Sequence, residues 1–173
     1  LANLHMMSNE VARQSKLNWP DQLNRIRHAV GVAEGTPVEQ MLNPVRDRSH
    51  EVRERRYGRG GELISDKMVG EKRWVNGISP EKAADTAALM RMHVLQNQGQ
   101  VYGPKEAMKD YGVESKEDAR ALAFMVNELY VSINADRISP SKQIEMEGAL
   151  LRQIEAQVRA EVTPEVQERI KGN

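Results

Sequence analysis

The chain has no cysteine among its 173 residues, which excludes a disulfide framework, thiolate metal sites and a cysteine nucleophile. A reducing compartment is compatible with that, and the expectation is a cytoplasmic protein. Net charge is missing too: 25 Lys and Arg balance 25 Asp and Glu, so no global field draws the molecule onto nucleic acid or an anionic membrane. Any such binding has to be local. The longest apolar run, Ala121 to Val126, is a fraction of a bilayer span, so no membrane partner is expected. Aromatic residues are scarce, with one Phe, two Trp and four Tyr, which leaves Met and Ala to supply much of the packing. The opening residues, Leu1 to Met7, lack the basic start and long apolar core of a signal peptide. His5-Met6-Met7 reads as a cloning junction or fragment remnant, and residues 1–7 are set apart from the fold argument.

What remains is enough for one domain, or for a compact core with a looser arm. Residues 1–74 hold 13 Lys and Arg against 10 Asp and Glu, and the remainder hold 12 against 15. On that shift, residues 8–77 read as a basic arm of short helices with a glycine hinge at Gly58–Gly61, and residues 78–173 as a helical bundle. The fold class expected is mainly α, with little or no sheet.

Within the arm, Leu23, Ile26 and Val30 recur at helical spacing after Trp19-Pro20-Asp21 and stop at Gly31. Thr36 and Glu39 around Pro37 have the form of a capping box, leading into a second short helix at Met41-Leu42. Between Pro44 and Gly61 only Val45, Val52 and Tyr57 offer apolar bulk, which predicts an exposed helix or a stretch without order of its own. Arg73 to Gly77 has the composition of a short strand or turn.

The bundle is better punctuated. Ser79-Pro80-Glu81 places a capping hydroxyl, a first-turn proline and an acid at one helix start. That helix is expected to run to Gln98 and stop at Gly99, with Ala83, Ala84, Ala87 and Ala88 leaving room for close approach by another helix. A short helix from Pro104 to Tyr111 stops at Gly112. Ser115 opens the most apolar helix, whose Ala119, Leu122, Val126, Leu129 and Ile133 make it the expected centre of the core. Ser139-Pro140 starts a long helix with Ile144, Leu151, Ile154, Val158 and Val162 on one stripe, and Thr163-Pro164-Glu165 a last restart carrying Val166 and Ile170. The shared phrase at Ile78 and Ile138 is two uses of one cap, because the residues after it fall out of step.

Functional signals are thin. Arg46, Arg48, Arg53, Arg55, Arg56 and Arg59, with Tyr57 and the glycines around it, can contact phosphates and stack a base, although Asp47, Glu51 and Glu54 interrupt them as on a solvated charged face. Lys105 to Arg120 has the form of a helix-turn-helix around Gly112-Val113, and Lys105, Lys109 and Lys116 are its cations. Its second helix opens with Glu117 and Asp118, the wrong sign for phosphate. His28, His50 and His93 lack the i,i+4 partner that a zinc-binding helix needs, and no nucleophile elbow, P-loop or dinucleotide fingerprint is present. Met90, Met92, Met108, Met125 and Met146 either fill the core or line an adaptable groove.

No catalytic residue, cofactor or metal follows from this sequence, and the reading leans away from an enzyme. The expectation is a non-enzymatic interaction module, in the style of a segment of a larger protein, that meets a protein partner or a second copy through the bundle or the Arg-rich arm. The alternative is a DNA- or RNA-binding accessory protein using the arm and the helix-turn-helix-like segment.

Overall fold

A computed structural model describes residues 17–50, 52–70 and 73–162. Residues 1–7 and the expected restart at Thr163-Pro164-Glu165 lie outside the described residues. The chain is mainly α, with six helices and one two-stranded antiparallel sheet among the described residues.

Helix α1 (Trp19–Val30) carries Pro20 in its first turn and Asp21 at its positive end. Gly31 closes it at φ 75°, where its N–H bonds to the His28 carbonyl at 3.2 Å and the Val32 N–H to that of Arg27 at 3.0 Å. Helix α2 (Val38–Met41) is a single turn, shorter than the sequence suggests. The Thr36 hydroxyl donates to the Ala33 carbonyl at 2.7 Å and so does not cap α2, whose cap position falls to Pro37.

Four longer elements follow the devices read from the sequence. Helices α3 (Pro80–Asn97), α5 (Lys116–Ile133) and α6 (Pro140–Glu161) begin at Ser79, Ser115 and Ser139, whose hydroxyls accept from the N–H three residues on, at 3.2, 3.3 and 3.2 Å. Helix α4 (Pro104–Tyr111) ends at Gly112 in the left-handed conformation. At the other end of α4, a Cβ added to Gly103 would lie 2.7 Å from the Gln153 amide of α6, so a larger residue there would have to displace the end of that side chain.

Helix α5 is the centre: α1, α3, α4 and α6 all contact it. Its buried face is Ala119, Ala123, Val126, Asn127 and Tyr130, and the Asn127 amide donates to the Tyr102 and Ala123 carbonyls at 3.0 and 2.7 Å. Small residues at 119 and 123 let the neighbouring helices come close. Ile26 and Val30 of α1 and Met41 of α2 join Leu89, Met92, Val126 and Leu150 in one hydrophobic core. The helices N-terminal to the charge shift thus pack into the same core as those after it.

Two expectations are corrected. The stretch from Pro44 to Gly61 is neither a helix nor without order: its second part is strand β1 (Arg53–Tyr57), paired antiparallel with β2 (Leu63–Met68). The partner strand, with Leu63, Ile64 and Met68, lies beyond Gly61, and Arg and Tyr are acceptable in an exposed strand. Gly58 to Gly61 is accordingly the hairpin tip, not a hinge. The Gly58 N–H bonds to the Glu62 carbonyl at 2.8 Å, and Gly61 adopts φ 83°.

The second correction concerns α6. The stripe Ile144, Leu151 and Val158 faces solvent, at 72, 45 and 40% exposure, while Met146 and Leu150 make the core contact. Ile154 packs partly against that core. Periodicity identifies an apolar face without saying which of two apolar faces is the buried one.

Candidate interaction surface

The hairpin is longer than its two strands. Below them, the Val75 N–H bonds to the Val45 carbonyl and the Asp47 N–H to the Arg73 carbonyl, both at 2.8 Å, and Arg46 bridges Trp74. The Val69 N–H continues the ladder to the Val52 carbonyl at 2.9 Å. The described residues of 45–57 and 63–75 therefore run as one interrupted antiparallel ribbon, with the 3₁₀ turn Arg48–His50 beside the base.

Cross-strand register sets the electrostatics. Arg55 stands opposite Asp66, Glu54 opposite Lys67 and Arg56 opposite Ser65, with an irregularity between Arg56 and Tyr57. Asp66 receives both Arg53, at 3.1 Å, and Arg55, at 3.8 Å. Pairs this open to water contribute little to stability. Arg46 reaches the Met68 sulfur at 2.7 Å. Between residues 52 and 70, five Lys and Arg stand against three Asp and Glu.

All five residues of β1 are exposed, and so are four of the six in β2. Among them are large apolar side chains: Tyr57 is 60% and Ile64 67% exposed, and Val52, Leu63 and Val69 are also open. A two-stranded hairpin exposed on both faces is marginal by itself, and among the described residues no third strand joins β1 or β2.

The residues singled out in the sequence thus fall into separate places. Arg46, Arg53, Arg55, Arg56, Tyr57 and Arg59 share the ribbon, and Arg48 lies in the turn at its base. Lys105 and Lys109 sit one turn apart on the exposed side of α4, not on the ribbon. Lys116 ties α5 to α6 through Glu161 at 3.1 Å, and Arg120 meets the same carboxylate at 3.1 Å. Those partners hold the Glu161 carboxyl below the usual range, Lys116 foremost. The helix-turn-helix-like segment is present as α4, Gly112 and α5, but α5 is the core helix and four neighbouring helices cover it. What composition could not show was the pairing of β1 with β2, which adds Leu63, Ile64 and Val69 to the arginines.

A concavity of about 250 Å³ is lined by His93, Asn97, Tyr130, Asn134, Arg137 and Lys142, among others. Its titratable groups are already engaged. His93 Nδ1 lies 2.9 Å from the Tyr130 hydroxyl and its Nε2 meets the Leu17 carbonyl, Arg137 pairs with Asp21 at 2.9 Å, and Lys142 with Glu145 at 3.5 Å. These groups serve structure before chemistry. Among the described residues no group of three or more His, Asp and Glu side chains is placed to hold a metal ion, and no helix is long and apolar enough to cross a membrane. Met92 and Met146 are core residues, and of the methionines considered for a groove Met125 is the open one.

His93 makes the fold sensitive to acid. Burial pushes its pKa below the ordinary 6.5, opposed by the bond to the Leu17 carbonyl and assisted by Arg137. The neutral ring donates from Nε2 to that carbonyl and accepts from Tyr130, whose own pKa burial raises to about 12. Because the unfolded chain takes up the proton first, stability is full above about pH 6.5 and is lost progressively as pH falls below it. The thermal midpoint is expected to drop between about pH 7 and pH 5.5, and His93→Gln to flatten that slope. An unchanged slope in the variant would assign the acid sensitivity to other groups.

No protein-family model, curated protein or solved structure matches the chain.

Proposed function

We propose that the chain is a non-enzymatic interaction module: a packed helical body that presents the 45–75 ribbon to a protein partner. The observation that carries this is a hairpin exposed on both faces that combines arginines with Tyr57, Leu63, Ile64 and Val69. Arg and Tyr are enriched where protein interfaces concentrate their binding energy, and apolar side chains at these positions gain by being covered. Glu54, Glu62 and Asp66 weigh against phosphate as the ligand, since Asp66 already neutralises part of the cation set.

The test compares the whole chain with Arg55→Glu/Tyr57→Ser on the ribbon and with Lys105→Glu/Lys109→Glu on α4. In quantitative capture from the native source, the reading expects a defined protein set to be lost with the ribbon variant and kept with the α4 variant. A two-stranded ribbon also fits the major groove, so binding to mixed DNA and RNA fragments is measured alongside. Nucleic-acid binding that falls steeply with salt and disappears with the ribbon variant would overturn the protein reading in favour of nucleic acid. Equal capture by all three chains would remove the ribbon from the function.

A further inference from the structure

The exposed stripe on α6 points to a second copy of this chain. Ile144, Leu151 and Val158 are spaced by seven residues, so they lie along one line of a helix whose core contact is made by Met146 and Leu150. Positions seven apart stay on one line when two helices pair, as each of the two seam positions of a helix pair does. We propose that two copies associate through α6 laid antiparallel on α6, with a two-fold axis at Leu151.

That axis makes the face self-complementary, as an isologous contact must be. Leu151 meets its equivalent, and Ile144 of each copy meets Val158 of the other. Gly148, Arg152 and Glu155 form one flank of the stripe, and an antiparallel pair brings this flank against itself. Glu155 of one copy then stands at the height of Glu147 of the other, one residue from Gly148 on the facing flank. There the structure already places a cation: the Arg152 guanidinium lies over Gly148, with Nη1 3.4 Å from where a Cβ would be. The absence of a side chain at Gly148 leaves the guanidinium room to receive the incoming carboxylate, twice per dimer. Antiparallel packing also sets the two helix dipoles in opposition.

The contact is small beside a standard interface of about 800 Å² per partner, so a dimer of micromolar strength is expected rather than an obligate one. Sedimentation equilibrium on the whole chain should show a reversible monomer–dimer equilibrium. Leu151→Glu, at an exposed position, should weaken it by about tenfold or more while leaving the thermal midpoint of the dilute protein in place. Arg152→Glu and Glu155→Arg should each weaken it, and the double reversal should restore it.

Because the chain contains no cysteine, single introduced thiols give an unambiguous second reading. Under mild oxidation Leu151→Cys should link to itself, and Ile144→Cys should link to Val158→Cys when the two proteins are mixed. A chain that stays monomeric at every concentration would overturn the proposal. So would a dimer indifferent to Leu151→Glu, or Ile144→Cys linking to itself instead of to Val158→Cys.

Discussion

Leu150→Ala is expected to lower the unfolding free energy by about 3 kcal/mol, and Leu151→Ala, one residue along, by less than about 1 kcal/mol. Leu150 has no exposed surface and belongs to the core that unites α1, α3, α5 and α6. Truncating it removes the transfer energy of three carbons and opens a cavity that the surrounding helices fill only in part. Leu151 already meets water, so truncation there forfeits little. The pair fixes the rotation of α6 about its own axis, because a helix turned to bury the Ile144–Leu151–Val158 stripe would reverse the order of the two costs. Denaturant unfolding in dilute protein, below any self-association, gives both numbers. Equal losses would contradict the orientation.

Asp110→Ala is the second large effect, at about 2–4 kcal/mol. Asp110 is almost fully enclosed and accepts from Arg91 Nε at 3.1 and 2.9 Å, from Arg91 Nη2 at 2.9 Å and from the Tyr102 hydroxyl at 2.9 Å. It clamps α4 to α3, with the loop residue Tyr102 beneath. Burial first, and the neighbouring carboxylate second, push the Tyr102 hydroxyl well above the usual tyrosine range, so that hydroxyl stays a donor. Removing the carboxylate leaves a buried hydroxyl without its acceptor, whereas Arg91, partly open to water, can turn outward. The cost accordingly falls short of that for a pair buried on both sides. Adding Tyr102→Phe to Asp110→Ala should return about 1 kcal/mol, and a double-mutant cycle isolates that coupling. Strict additivity of the two changes would show that the hydroxyl and carboxylate do not act together. A second tie, from the Tyr111 hydroxyl to Asp85 at 2.5 Å, fixes the same C-terminal end of that helix to α3.

How much of this was legible in the sequence depends on how local the signal is. The serines at 79, 115 and 139, the prolines after two of them and the glycines at 31, 99 and 112 act within four residues, and they mark the helix ends as found. The central place of α5 was legible for a related reason: its apolar density exceeds that of every other segment. Rotation was harder. On α6 two apolar faces compete, and the choice of Met146 and Leu150 over Ile144 and Leu151 is made by the neighbours, with Gln153 sealing against Gly103.

The ribbon was hidden for another reason. Strand pairing is set by residues far apart in the chain, and neither Arg53–Tyr57 nor Leu63–Met68 shows clean alternation, because neither face is buried. A polar strand of this kind looks like a charged helix or an open loop until its partner is known. The arginines were therefore found as candidates while the surface they belong to was not. Lys116 lies apart from them, its positive charge paired with Glu161 across the α5–α6 contact.

The proposed function turns on a ribbon that the helices leave uncovered. Amide hydrogen exchange of the whole chain tests this most directly, read peptide by peptide at one pH and temperature. The account predicts that the amides of Arg53–Tyr57 and Leu63–Met68 exchange about 100-fold or more faster than those in the middle of α3 and α5, since opening a hairpin with no buried face costs little. Exchange from the two strands as slow as from α5 would contradict it, because the ribbon would then be covered already and would not be a surface awaiting a partner.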